Sequence, residues 1–187
     1  MNAKLFFSAL LLTVLSLAPG LVSAQGKRGG KAKKAAPAAA VAGPAVTVIG
    51  NDELRQLLTR KPGQHPFLVN FWATWCEPCV AEFPELVKLN EDYRARGLDF
   101  ITISLDEMSD LKTGVPRFLK KTKSTMPAYL LKLDDQEAAF DIIDKDWIGA
   151  LPLTLLYDSN GKVIYKKVGR LKIEELRAAL DQQFGSQ

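Results

Sequence analysis

FWATWCEPCVAEFPEL, residues 71–86, holds the only two cysteines of the chain, Cys76 and Cys79. An apolar, aromatic run ends at the pair, and a helical pattern carrying Glu82 and Pro84 resumes after it. Two cysteines at this spacing serve a metal clip, a structural staple or a redox centre. Upstream, Phe67-Leu68-Val69-Asn70-Phe71-Trp72 is a mostly continuous apolar run, as expected of a central strand buried on both faces. Downstream, from Cys76 to about Arg96, the apolar residues Cys79, Val80, Phe83, Leu86, Val87 and Leu89 recur at helical spacing, and Gly97 closes the helix.

The cysteines therefore fall where a buried strand hands over to a helix. Cys76 is expected in the first turn, near unpaired N–H groups and the positive end of the helix dipole, a setting that favours the thiolate. Cys79, three residues on, shares its face and can reach it. Pro78 lacks an N–H, fits the first turn and holds the pair in a fixed geometry. Disulfide exchange needs such an arrangement, one exposed low-pKa attacker and one sheltered thiol. As a staple the pair is poorly placed, because so short a loop contributes about 2 kcal/mol against nearly 5 for a loop of about 100 residues. A zinc site needs about four ligands, and the chain offers the two cysteines and a single histidine, His65, which reads as a loop residue before the strand. A copper chaperone would place its histidine after the cysteines.

The chain has 187 residues, 47% hydrophobic and 25% charged, which suits one globular domain with extensions. Residues 1–24 read as a secretory signal: a basic Lys4, an apolar run from Leu5 to Leu17, a break at Pro19-Gly20, and small residues before a cleavage point after Ala24. This implies a periplasmic protein. The alternative is an uncleaved membrane anchor, although the run is shorter than the roughly 20 residues of a spanning helix. Residues 25–45, QGKRGGKAKKAAPAAAVAGPA, contain no aromatic residue and read as a flexible linker rich in Ala, Lys, Gly and Pro. Six cations (Lys4, Lys27, Arg28, Lys31, Lys33 and Lys34) precede Val46, so the formal charge of +4 becomes 19 basic against 21 acidic residues in the domain 46–187. Basic character belongs to the extension, and nucleic-acid binding by the fold has little support.

Beyond Val46, strand-like and helix-like segments alternate. Asn51-Asp52 is expected to cap a short helix, DELRQLLTR, ending before Lys61-Pro62-Gly63. LDFITISLD, residues 98–106, reads as a second buried strand, followed by a helix around Val115 to Thr122. MPAYLLKL suits a short strand and QEAAFDIID a short helix. Leu153 to Tyr157 and Lys162 to Val168 read as a hairpin about the turn Asp158-Ser159-Asn160-Gly161, and Ile173 to Phe184 as a closing amphipathic helix. A βαβ half followed by a hairpin and a helix implies an α/β fold, a mixed sheet covered by helices on both faces.

Trp75-Cys76-Glu77-Pro78-Cys79 after a buried strand resembles the thioredoxin superfamily, and CEPC followed by Glu82-Phe83-Pro84 resembles its TlpA/ResA/CcmG-like branch of exported thiol:disulfide oxidoreductases. The resemblance covers roughly Val46 to Phe184 and implies a thioredoxin-like fold. It implies Cys76 as nucleophile, Cys79 as resolving thiol, Pro84 as the kink of the active-site helix, and Pro152, in Ala150-Leu151-Pro152-Leu153-Thr154, as a cis-proline facing the disulfide where substrate binds; the residues alone also allow a routine strand-entry proline. Trp75, Glu77, Pro78 and Leu151 complete the active-site surroundings. Asn70 stands where cytoplasmic thioredoxins place a buried aspartate that moves the resolving cysteine's proton. Glu82, three residues after Cys79, matches a functional glutamate of ResA-like proteins and is assigned that transfer; the competing reading is a solvated helix glutamate. Pro152-Leu153-Thr154 departs from the family's Pro-Thr-Thr, which bears on the substrate groove.

Glu77 places a negative charge beside the forming thiolate. At about 6 Å with an effective dielectric of about 40 this amounts to about 1.4 kcal/mol, or about 30 mV for a two-electron couple, in the direction of a reductant. The resemblance further implies protein disulfide substrates, apocytochrome c or copper-site assembly proteins among them, and a membrane thiol transporter of the DsbD/CcdA kind as electron donor. No cofactor beyond the Cys76–Cys79 disulfide is expected, and the protein is expected to be a monomer. An oxidase or isomerase on the same fold is one rival, and a non-catalytic peptide-binding module using the cis-proline groove is another. A peroxidase is disfavoured by the absence of a Pro-x-x-x-Thr-x-x-Cys segment.

Overall fold

The computed structural model describes residues 45–185; the signal and the linker, apart from Ala45, lie outside the described residues. The elements in chain order are β1 (Val46–Ile49), α1 (Asn51–Leu58), β2 (Phe67–Trp72), α2 (Glu77–Arg94), β3 (Asp99–Ser104), a 3-10 turn (Met108–Asp110), α3 (Gly114–Lys121), β4 (Ala128–Leu131), α4 (Gln136–Ile143), β5 (Leu153–Tyr157), β6 (Val163–Val168) and α5 (Ile173–Phe184). The strands form one sheet of six in the order β1-β4-β3-β2-β5-β6. β1, β4, β3 and β2 run parallel, while β5 is antiparallel to β2 and β6 to β5. This is the mixed sheet expected from a βαβ half joined to a hairpin.

Alternation along the strands divides the core in two. Leu68 and Trp72 of β2 pack with Phe100, Leu130 and Leu156 under α2, α3 and α5, which contribute Phe83, Leu86, Val115, Leu119, Leu176 and Leu180. Phe67, Val69 and Phe71 face the other way, with Ile101, Ile103 and Leu155, against Leu54 and Leu58 of α1 and Ala139 and Ile143 of α4. β2 is buried along its whole length because it has a core on each face. Under α2 the rings of Trp72, Phe83 and Phe118 meet pairwise at centroid distances of 4.8–4.9 Å, which ties α2 and α3 to the sheet.

Several boundaries differ from those read in the sequence. The cap of α1 is Gly50, whose N–H donates to the Glu53 carboxylate at 3.0 Å, and not Asn51-Asp52; Asn51 lies inside the helix and its Nδ2 donates to the Asp135 carbonyl at 3.1 Å, tying α1 to α4. α1 stops at Leu58, where its apolar face ends. α2 begins at Glu77, one residue later than the pattern suggested, because Cys76 has extended backbone and serves as the cap. Pro84 lies within α2 and leaves the Val80 carbonyl without its helical N–H partner. The hairpin turn is set by Asp158, whose carboxylate accepts from the N–H groups of Asn160 and Lys162, both at 2.9 Å. Gly161 has φ +81°, and a Cβ there would come within 2.9 Å of the Arg60 carbonyl.

Candidate active site

β2 delivers the chain to the site and α2 carries it away. Between them Ala73-Thr74-Trp75 make a turn closed by the Cys76 N–H, which donates to the Ala73 carbonyl at 3.2 Å. Cys76 and Cys79 are joined in a disulfide with their Cα atoms 5.2 Å apart, and the Cys79 N–H donates to Cys76 Sγ at 3.3 Å. The sulfur that caps the helix is therefore the one next to its unpaired N–H groups, where a thiolate would gain most. Cys76 is 6% exposed and Cys79 1%, so the expected difference in shelter is present, but Cys76 is far more enclosed than the sequence reading of an exposed attacker. The enclosing groups belong to the core cluster under α2, in which both sulfurs take part. Trp75, by contrast, is 67% exposed beside the pair. Glu77 and Pro78 face solvent, so screening makes the Glu77 charge count for less than the bare Coulomb figure.

The pairing of β2 with β5 brings the second half of the site to the first. Phe71 lies opposite Leu153 and Asn70 opposite Thr154, so the residue before Leu153 sits level with the end of β2, where the cysteine turn begins. That residue is Pro152, and the Leu151–Pro152 bond is cis. The Pro152 carbonyl accepts from the Gly169 N–H at 2.8 Å, and Leu151 is half-buried against both core clusters. The loop before it is fixed by the Trp147 indole N–H, which donates to the Ala150 carbonyl at 2.8 Å. The departure from Pro-Thr-Thr falls outside the groove: Leu153 points into the core under α1 and α4, while Thr154 takes the opposite face and accepts from Asn70 Nδ2 at 3.0 Å.

Glu82 is 4% exposed, which removes it from the solvated face of α2. Its Oε2 accepts from the Leu171 N–H at 2.8 Å, while its Oε1 is buried without a partner, as is Oδ1 of the neighbouring Asn70. Burial pushes the Glu82 carboxyl above the usual carboxylate range, and Glu85 adds to the rise. The Leu171 N–H, Asn70 and Arg170 act in the opposite direction and do not cancel it. A cleft lined by Glu85, Arg170, Leu171 and Lys172 runs past this carboxyl. The partnerships of Glu82 with Leu171 and of Asn70 with Thr154 span 89 and 84 residues, and no local pattern announces either. His65 lies away from the pair, exposed in the loop before β2.

Comparison with known proteins agrees with this geometry. The redoxin family matches residues 31–181. The thiol-disulfide oxidoreductase ResA of Bacillus anthracis is 32% identical over 177 residues, covering 95% of each chain. Among solved structures, a thiol:disulfide interchange protein of the thioredoxin family from Chlorobium tepidum superposes with a TM-score of 0.55 at 25% identity, over 65% of this chain and 81% of that one. StoA from Bacillus subtilis shares the fold with a TM-score of 0.51 at 23% identity, over 64% of this chain and 84% of that one.

The raised carboxyl gives a stability signature. A group whose folded-state pKa lies above its unfolded value adds stability that is complete below the unfolded value and is lost as pH rises through the folded one. Glutamine at position 82 does not titrate. Glu82→Gln should therefore be least favourable relative to wild type near about pH 4, and the difference should shrink or reverse toward about pH 8. Urea unfolding midpoints of the oxidised proteins across this range measure it; a difference that stays constant would contradict the buried, shifted carboxyl.

Proposed function

Because the chain belongs to the redoxin family and is a thiol-disulfide oxidoreductase of the ResA kind, we propose that it acts as an exported reductase of disulfides in partner proteins. The observation that carries this reading is the position of Cys76 at the N-cap of α2, with Cys79 enclosed behind it and a buried carboxyl one helical turn further on.

In the proposed cycle the Cys76 thiolate attacks one sulfur of a client disulfide. The client S–S bond breaks, a bond between Cys76 Sγ and the client sulfur forms, and the other client sulfur leaves as a thiolate that takes a proton from solvent. Cys79 then gives its proton to the Glu82 carboxylate and attacks Cys76 Sγ. The Cys76–Cys79 bond forms and the second client sulfur leaves, so two electrons have passed to the client. A carboxyl with an elevated pKa suits this transfer, since it holds the proton near neutral pH better than an exposed glutamate does. Trp75, Leu151 and Pro152 supply the surface on which the client chain lies. A dithiol donor returns the two electrons, a membrane thiol transporter of the DsbD/CcdA kind on the family pattern, with apocytochrome c and copper-site assembly proteins as client classes. The segment 1–24 is the signal that carries the protein to the periplasm.

Two variants test the division of labour. Cys79→Ser should attack but fail to resolve, and so be recovered from an exporting host in covalent, dithiothreitol-sensitive adducts through Cys76, while Cys76→Ser gives almost none. The reverse pattern would make Cys79 the nucleophile, and adducts with neither would favour a binding module. Glu82→Gln should slow the resolving step by about a hundredfold while the first attack changes little; stopped-flow traces with both steps at wild-type rates would remove Glu82 from the chemistry.

A further inference from the structure

Asp106 is a buried carboxylate that the cycle above does not use. It lies two residues beyond the end of β3, is 3% exposed, and forms no ion pair with a cation among the described residues. Neutral donors hold it instead. The Thr74 N–H reaches both its oxygens, at 3.1 Å and 3.0 Å, and the Thr74 hydroxyl donates to Oδ1 at 2.5 Å. The Ser104 hydroxyl donates to Oδ2 at 2.6 Å and itself accepts from the Asp106 N–H at 3.0 Å. Ser104 pairs with Trp72 in the sheet, and the Leu105 N–H donates to the Trp72 carbonyl at 2.8 Å, so this knot closes at the point where β2 releases the chain into the cysteine turn.

Taking a carboxylate out of water without a counter-charge is costly, and a fold in need of a hydrogen-bonded turn could use a neutral side chain. The distinctive feature is what the knot grips. Thr74 stands two residues before Cys76, and the turn between them is otherwise closed by a single backbone bond, from the Cys76 N–H to the Ala73 carbonyl. In the oxidised protein the bond to Cys79 holds Cys76 covalently at the start of α2. In the dithiol that tether is gone, and the sulfur stays at the helix N-terminus only if the turn keeps its shape. We propose that Asp106 is the positioning residue of the nucleophile, clamping Thr74 so that Cys76 Sγ remains at the N-cap of α2 in the reduced state that attacks. This rests on the reading of Cys76 as the attacking thiol.

The proposal has a sign that separates it from a plain charge effect. If Asp106 acted on Cys76 only as a negative charge, alongside Glu77, its removal would stabilise the thiolate and lower the thiol pKa. If it acts as a clamp, its removal lets the sulfur leave the helix N-terminus, which raises the thiol pKa and slows attack.

The test uses the otherwise full chain in a Cys79→Ser background, so that Cys76 alone reports, with a small aromatic disulfide as the probe and its reduction rate followed against pH. Asp106→Ala should raise the Cys76 pKa and reduce the attack rate at neutral pH about tenfold or more, the loss expected when hydrogen bonds to a charged group are removed. Asp106→Asn keeps one acceptor oxygen and should fall between Asp106→Ala and the parent. Thr74→Val loses only the hydroxyl bond and should move both readouts in the same direction by less. A Cys76 pKa that is unchanged or lowered, with an undiminished attack rate, would overturn the proposal whatever happens to thermal stability. Should Asp106→Ala not fold, Thr74→Val decides by the same readouts. A Cys79→Ser parent that does not react at all would instead overturn the assignment of Cys76, which keeps the two failures distinct.

Discussion

β2 is buried along all six of its residues and bonded on both edges, parallel to β3 and antiparallel to β5, and this double pairing fixes where each group of the site can be. Its carboxyl end releases the chain into the cysteine turn. The register with β5 sets Pro152 level with that end, and the register with β3 sets Ser104 opposite Trp72, which places Asp106 against Thr74. A slip of β2 by one residue would turn Asn70 away from α2 and put Val69 or Phe71 in its place. Such a slip is costly because Asn70 would lose Thr154 and enter the core filled by Phe67, Val69 and Phe71 without a partner.

The same burial determines the electrostatics. Asn70 is the one polar side chain on β2, and it faces Glu82 across the α2 side of the sheet. An aspartate at position 70 would set two carboxyls side by side in a dry environment, where like charges cannot both ionise. With Asn70 on the strand, the carboxyl at this point is the helix's Glu82 alone, held through Oε2 by the Leu171 N–H and with Oε1 left free. A titratable group of this kind is unfavourable for stability at neutral pH and useful for moving a proton, which fits the tendency of perturbed carboxyls to occur at functional sites.

Features carried by neighbours in the chain were legible in the sequence. The apolar run of β2, the helical spacing after Cys76, the hairpin turn at Asp158–Gly161 and the limits of α5 all rest on local periodicity or turn chemistry. Pro152 became a candidate through its resemblance to a family, since nothing in Ala150-Leu151-Pro152 by itself specifies a cis bond. β1, only four residues long, carries too few alternations to stand out and is fixed by its pairing with β4. The cap of α1 lies one residue before the expected Asn51-Asp52 because Gly50 has no side chain to signal it; Glu53 does so by reaching back. Thr74 with Asp106, Asn70 with Thr154 and Glu82 with Leu171 are separated by 32, 84 and 89 residues, and only the folded sheet brings them together.

In the proposed reductase, Glu77 on the solvent side of the pair opposes thiolate formation at Cys76, a screened contribution in the direction of electron donation. The helix N-terminus at Cys76 works against this, so the balance is decided by measurement. Equilibration of the full chain in dithiothreitol buffers of graded potential, followed by the fluorescence of Trp75 and the other tryptophans, gives the reduction potential of the Cys76–Cys79 couple directly. The account predicts a value at or below that of thioredoxin, about −270 mV. A value near that of the oxidant DsbA, about −120 mV, would contradict it and make the protein an oxidase on the same fold.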